Sequence, residues 1–149
     1  KPYMVMCSPM CTAFSQLQAL NEERRDPQVI RRELESAKDH VRWVMKVCAL
    51  QHREGRYLLY EHPATATSWK MAEVVRVANM ERVQIVKLDM CAFGMTATDS
   101  QGEGLVRKTT KMMTNSPEVA LRIGKRCCNA KEETGHRHVQ LINGRARQA

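Results

Sequence analysis

The stretch Val5-Met6-Cys7-Ser8-Pro9-Met10-Cys11-Thr12-Ala13-Phe14-Ser15 decides the fold of this chain. It continues an apolar, strand-like run that starts at Tyr3, and Pro9 then turns the chain into a loop that carries Cys11. A cysteine on a loop after a strand stands where α/β sheets place their reactive side chains. The stretch therefore predicts an α/β protein with a candidate nucleophile, Cys11, at the end of its first strand.

The rest of the chain alternates between strand-like and helix-like segments. Asp26-Pro27 is typical of a helix start, and apolar residues recur from there to Gly55 at three- and four-residue steps. The other predicted elements are strands over 56–60, 83–88 and 111–114, helices capped by Ser68 and Ser116, and a loop over 93–104. This order predicts a partial Rossmann-like α/β sheet with mostly parallel strands and flanking helices.

Three candidate site residues follow predicted strands: Cys11, Glu61 and Asp89. Because parallel strands end at one edge of a sheet, we expect these side chains to share that edge. Each has a plainer interpretation. Cys11 has no basic neighbour in sequence to lower its thiol pKa, Glu61 suits a turn cap or an ion pair with Arg56, and Asp89 suits a loop cap.

Composition limits the classes of function. The 149 residues predict a single domain, and 24 Lys and Arg against 16 Asp and Glu give a net charge of +8, which favours a polyanionic partner such as DNA. No apolar run approaches the roughly 18 residues that span a bilayer. The six widely spaced cysteines are interpreted as reduced thiols of an intracellular protein, cytoplasmic or nuclear.

Three segments resemble DNA cytosine-5 methyltransferases in consistent order over roughly residues 3–146. The Cys11 loop resembles the family's Pro-Cys-Gln-x-Phe-Ser loop, although Met10 replaces the Pro and Thr12 replaces the Gln. Residues 61–63, Glu-His-Pro, resemble the family's Glu-Asn-Val or Glu-Asn-Pro, and Phe93-Gly94 resembles its aromatic-Gly step. Residues 8–12, residues 61–63 with Ser68-Trp69, and residues 108–115 are similar to segments of phage- and transposon-type relatives.

The resemblance implies a role for each matching residue. Cys11 is the nucleophile that adds to carbon-6 of a flipped cytosine, and Glu61 is the carboxyl group held against ring nitrogen-3. The methyl group comes from S-adenosylmethionine in the complete enzyme. The further residues implied to bind substrate are Phe14, Ser15, Arg107 and Lys111, the last two standing in the region of the family's Gln-Arg-Arg cluster.

The family's cofactor-binding half has no counterpart ahead of Cys11. Its Gly-rich loop and acidic ribose-binding residue are not found there, so we expect a fragment of a longer protein, completed by a second chain or an N-terminal half. The alternative is a non-catalytic nucleic-acid-binding or assembly module derived from a mobile element. Met10, Thr12 and His62 favour that alternative, and His62 itself is interpreted as a surface loop residue.

Soft metal ligands and basic stretches complete the candidates. The spacing of Cys127, Cys128, His136 and His138 fits no zinc-finger template, so we predict no metal site and interpret 136–138 as a surface turn. Phosphate contacts are predicted for the basic pairs 24–25, 31–32 and 125–126 and for 145–147, and a solvated helix face explains the first two equally well. Trp43 and Trp69 are predicted core residues.

Overall fold

The computed structural model describes residues 1–15, 25–128, 135–142 and 145–146. Its helices are α1 (Pro27–Arg53), α2 (Ala72–Ala78) and α3 (Pro117–Ile123). Its strands are β1 (Met4–Cys7), β2 (Tyr57–Pro63), β3 (Gln84–Asp89), β4 (Thr96–Asp99), β5 (Gly102–Leu105), β6 (Thr109–Thr114), β7 (Leu141–Ile142) and β8 (Arg145–Ala146). Short 3-10 turns cover Thr12–Phe14, Thr67–Lys70 and Met90–Phe93. No helix of the described residues is long and apolar enough to cross a membrane.

A four-stranded sheet in the order β1-β2-β6-β3 forms the centre of the α/β fold. β1 and β2 pair in parallel, whereas β6 is antiparallel to both β2 and β3. The prediction of mostly parallel strands is therefore wrong. The chain between β3 and β6 contains a 3-10 turn and the β4-β5 hairpin but no crossover helix, so β6 starts from the edge where β3 ended and runs back.

The predicted shared edge is nevertheless present. β2 and β3 point in the same direction because both are antiparallel to β6, and β1 points the same way because it is parallel to β2. The last residues of β2 and β3, Pro63 and Asp89, pair with the adjacent residues Thr110 and Thr109. We call this side of the sheet the carboxyl edge: the ends of β1, β2 and β3 with the start of β6.

Helix α1 forms as the sequence predicts. The Asp26 side chain caps it by accepting a hydrogen bond from the Gln28 backbone N–H at 2.8 Å, and Gly55 after it adopts a φ of +70°. Its buried side chains pack on Leu58 and Tyr60 of β2; they include Val41, Val44, Met45 and Cys48. Trp43 faces solvent with 61% of its surface exposed, so its assignment to the core is wrong. Trp69 is partly buried and packs against the core.

Other element boundaries differ from the predictions. β2 continues beyond the predicted residue 60 to Pro63. The pattern after Ser116 predicts a helix to about residue 127, but α3 ends at Ile123. The predicted loop over 93–104 contains the β4-β5 hairpin, whose turn is closed when the Asp99 side chain accepts a hydrogen bond from Gln101 N–H. Ser68 does not cap a helix, because its buried hydroxyl lies against His62 and α2 begins later.

Candidate functional site

The Cys11 loop lies beside Glu61 at the carboxyl edge. The parallel register pairs Cys7 with Tyr60, which brings Ser8 next to Glu61. The Ser8 hydroxyl donates a hydrogen bond to Glu61 Oε2 at 2.5 Å. Cys11 is half-buried at the start of the 3-10 turn, and its carbonyl accepts a hydrogen bond from Phe14 N–H at 3.0 Å. The structure therefore brings the loop of the candidate nucleophile to the candidate carboxyl group.

His62 of β2 anchors this loop to the sheet through its two ring nitrogens. Its ring is fully buried, with Nε2 3.1 Å from the Pro9 carbonyl oxygen and Nδ1 2.5 Å from Ser68 Oγ. Since a carbonyl oxygen only accepts, Nε2 carries a proton. Burial lowers the pKa of the ring and favours its neutral form, in which Nδ1 accepts from the Ser68 hydroxyl. His62 is thus a neutral, buried loop anchor, and its interpretation as a surface residue is wrong.

Burial of this imidazole predicts a pH-dependent stability. Burial, the leading influence, holds the pKa of His62 below its ordinary value, against opposing effects of the Pro9 carbonyl and Glu61 and with Lys108 acting in the same direction as burial. The unfolded chain therefore binds a proton more readily than the folded one. The neutral His62 ring therefore contributes to the free energy of unfolding. This contribution is fully present above the pKa of about 6.5 that His62 has in the unfolded chain, and it is lost as the pH falls below that value.

We expect the urea concentration at the unfolding midpoint to decrease as the pH is lowered from about 7.5 to about 5.5. A His62→Gln variant should show a smaller decline over that interval, because its side chain does not titrate. All other titrating groups are the same in both proteins, so the difference between them isolates His62. Equal slopes for the two proteins would contradict the assignment of a neutral buried His62.

The four predicted substrate-binding residues occupy different surroundings. Phe14 is buried in the core, its ring centroid 5.6 Å from that of His62, and so it packs rather than facing a ligand. Ser15 is half-buried after the 3-10 turn. Lys111 lies on β6 with its ammonium 5.5 Å from the centre of the Trp69 ring. Arg107 lies at the carboxyl edge, with Nε 4.0 Å from Asp89 Oδ1.

Asp89 joins three parts of this edge. Its carboxylate is buried and accepts hydrogen bonds from Thr109 Oγ1 at 2.5 Å and from Cys127 N–H at 2.9 Å. Arg126 Nε lies 3.0 Å from Oδ2. Burial alone raises the pKa of Asp89, but these hydrogen bonds and the guanidinium charges together lower it below the ordinary value. Asp89 is therefore a buried, ionised link between β3, β6 and the loop after α3.

A second group of reactive side chains, the Cys/His cluster, consists of Cys91, Cys127, His136 and His138. Their nearest ligand atoms all lie within 4.8 Å of one another. Cys127 Sγ is 3.5 Å from Nε2 of His136 and of His138, and these two nitrogens are 2.9 Å apart. Burial, followed by the charges of His136 and Arg107, lowers the pKa of His138 and favours its neutral form.

Sequence reasoning anticipated only part of this cluster. Cys91 joins it, although it is far from the other members in sequence, whereas the exposed Cys128 does not belong to it. The interpretation of 136–138 as a surface turn is also wrong. The segment is extended and pairs with Leu105 of β5 through two backbone hydrogen bonds. Leu105 N–H donates to the Arg137 carbonyl, and Val139 N–H donates to the Leu105 carbonyl.

The described members of the predicted basic stretches lie on separate parts of the chain, at α1 and after α3. Arg31 and Arg32 are exposed on α1, as a solvated helix face requires. Lys125 lies over the Phe93 ring at 5.4 Å, and Arg126 contacts Asp89. Arg24, Arg147 and the side chains of 145 and 146 lie outside the described residues.

S-adenosylmethionine does not fit the described part of the chain. A dinucleotide-type loop requires glycines in a turn from a strand into a helix. The described glycines lie elsewhere: Gly55 and Gly124 follow helices, Gly94 follows a 3-10 turn, Gly102 and Gly104 belong to the hairpin strand β5, and Gly135 precedes the segment that carries His136 and His138. Comparisons with models of protein families, with curated proteins and with solved structures find no match to this chain.

Proposed function

We propose that this chain is the base-binding segment of a DNA cytosine-5 methyltransferase-like protein, with Cys11 as nucleophile and Glu61 as its acidic partner. The observation that carries the proposal is the parallel pairing of β1 and β2, which brings the Cys11 loop to Glu61 through the Ser8 hydrogen bond. Loop residues at the ends of neighbouring parallel strands are the usual site of chemistry in α/β folds. The similarity of the Cys11 and Glu61 segments to that family specifies the reaction.

The proposed reaction needs a thiolate and a carboxylic acid around one flipped base. Cys11 Sγ forms a bond to carbon-6 of cytosine, and the electron pair of the C5–C6 double bond shifts toward carbon-4. The C4–N3 pair moves onto nitrogen-3, which takes the proton of the Glu61 carboxyl group. The product is an enamine that is nucleophilic at carbon-5, and reversal of the same steps releases cytosine. The methyl donor belongs to the complete enzyme.

The open side of β1 supports completion by further protein. Within the described chain β1 pairs with β2 alone, so its other side presents backbone N–H and C=O groups for an additional strand. Tyr3, Met6 and Met10 are each at least 70% exposed along this strand and its loop. A second chain or an N-terminal half that extends the sheet here is therefore part of the proposal.

The addition step is testable without a methyl donor. We expect the chain to form a denaturation-resistant adduct with DNA containing 5-azacytosine, whose electron-poor ring accepts a thiolate at carbon-6. Cys11→Ser should abolish the adduct, and Glu61→Gln should slow its formation by about 10²–10⁴-fold because the proton donor is lost. Band shifts in denaturing gels and mass spectrometry of the linked peptide provide the measurement.

Cys128→Ser is the matched control, because Cys128 is an exposed thiol that is not part of this loop, and its adduct yield should equal that of the unmodified chain. An adduct that persists in Cys11→Ser, or none in the unmodified chain, would count against Cys11 as the nucleophile.

A second candidate is a non-catalytic nucleic-acid-binding module. The net charge of +8 favours it, because phosphate binding needs no nucleophile. This module would bind DNA with a steep salt dependence and little sequence preference, equally well in the unmodified chain and in Cys11→Ser, and without any adduct. Fluorescence anisotropy at several salt concentrations, run beside the adduct assay, separates the two candidates.

A further inference from the structure

We propose that Cys91, Cys127, His136 and His138 bind a Zn²⁺ ion in a tetrahedral, structural site. The inference does not depend on the proposed function, because none of these residues acts on the base. It rests on the position of the four ligand atoms and on how the fold holds them.

The two Cys127–histidine separations match a tetrahedral zinc site. Zn–S bonds of about 2.3 Å and Zn–N bonds of about 2.0–2.1 Å place a sulfur and a nitrogen ligand about 3.5 Å apart and two nitrogens about 3.3 Å apart. Cys127 Sγ lies 3.5 Å from both imidazole nitrogens. The two nitrogens are slightly closer than in such a site, at 2.9 Å, and all four atoms lie within 4.8 Å of one another.

The donor set selects the metal and its role. Two thiolates and two neutral imidazoles suit Zn²⁺, whereas Mg²⁺ and Ca²⁺ prefer oxygen ligands. Two thiolate charges also neutralise the ion, which suits a site where Cys91 is buried. Four protein ligands complete a tetrahedron and leave no position for water or substrate, so the ion has a structural role rather than a catalytic one.

Different structural elements position the proposed ligands. Cys91 lies in the 3-10 turn directly after β3. Cys127 is held in place because its N–H donates a hydrogen bond to the buried Asp89 carboxylate. His136 and His138 share one face because the segment that carries them is extended. The intervening Arg137 points the other way, where its Nη1 donates to both carboxylate oxygens of Asp99, at 2.9 and 2.7 Å.

The ion therefore joins three distant parts of the chain. It links the end of β3 and the loop after α3 to the segment that runs along β5 through Leu105. Gly104 on β5 makes room for this segment, since a Cβ there would lie 3.0 Å from Val139 Cγ2 and 3.1 Å from the Arg137 guanidinium. Metal binding and docking of residues 136–139 are thus expected to be coupled.

We expect the purified chain to contain about one zinc ion per molecule by elemental analysis. Removal of zinc with a chelator should lower the thermal midpoint, and added Zn²⁺ should restore it. Co²⁺ added to the metal-free chain should give the visible absorption bands of tetrahedral cobalt together with a thiolate charge-transfer band. Cys91→Ser should lose the metal and weaken that charge-transfer band, and it is the decisive variant because sequence spacing does not indicate this ligand.

Cys128→Ser is the matched control, because it changes the residue beside Cys127 without removing a proposed ligand, and it should retain zinc and the full cobalt spectrum. Only monomeric protein with an unchanged far-ultraviolet circular dichroism spectrum is compared, and the cobalt titration of the unmodified chain stands even if a variant does not fold. Zinc binding that survives Cys91→Ser, a Cys91–Cys127 disulfide in the purified chain, or no uptake of either metal would overturn the proposal.

Discussion

Replacing Asp89 with asparagine is expected to lower the free energy of unfolding by about 2–4 kcal/mol. The carboxylate is 1% exposed and accepts hydrogen bonds from Thr109 Oγ1 and Cys127 N–H, with Arg126 Nε 3.0 Å away. An amide offers one acceptor instead of two, turns its NH₂ toward one of these donors, and leaves the arginine without a buried counter-charge. Urea unfolding followed by circular dichroism measures the loss.

Asp39→Asn is the matched control for this prediction. Asp39 forms an ion pair with Arg42 on the surface of α1, and its side chain is 74% exposed, so the same chemical change should alter the free energy of unfolding by less than about 0.5 kcal/mol. Similar losses for Asp89→Asn and Asp39→Asn would refute the role of Asp89 as a buried link. The Asp89 variant should also bind zinc more weakly, because Cys127 loses its anchor.

Replacing His62 with leucine is expected to cost about 2–4 kcal/mol of the free energy of unfolding. Leucine fits the buried volume but leaves the Ser68 hydroxyl and the Pro9 carbonyl without their partner. Because Pro9 lies two residues before Cys11, the same variant should slow the addition of Cys11 to 5-azacytosine by releasing the loop. Stability by urea unfolding and adduct formation by gel shift measure the two effects separately.

Two amide variants separate the contributions of the two His62 nitrogens to stability and to the adduct rate. In His62→Asn the short amide can replace Nδ1 and retain Ser68, whereas in His62→Gln the longer amide can replace Nε2 and retain Pro9. We expect both to be more stable than His62→Leu, and only the glutamine variant to restore the adduct rate. His40→Leu on the exposed face of α1 should change neither quantity. Full activity and stability in His62→Leu would show that the loop is held by other contacts.

Local signals predicted most elements of the fold. The Asp26-Pro27 start of α1 and the Ser116 cap of α3 are confirmed, since a cap is a hydrogen bond within one turn of sequence. The strands at 83–88 and 111–114 are also found, with shifts of a few residues. The β4-β5 hairpin was missed because its strands are short, polar and contain Gly102 and Gly104, a composition that equally suits a loop.

The candidate site was predicted in outline and corrected in detail. The shared edge of Cys11, Glu61 and Asp89 followed from the positions of strand ends, and the strand directions confirm it. The burial of Phe14 and His62 did not follow, because a loop sequence does not reveal which of its side chains the next strand covers.

Periodicity and capping act over a few residues, so the sequence alone predicted the α/β class, the starts of α1 and α3, and the edge of the sheet near which Cys11 and Glu61 lie. Three features became evident only from tertiary contacts: the antiparallel position of β6 between β2 and β3, the neutral anchor His62, and the meeting of Cys91 with Cys127, His136 and His138. These are contacts between residues far apart along the chain. They depend on how whole elements pack, and no local pattern of residues specifies them.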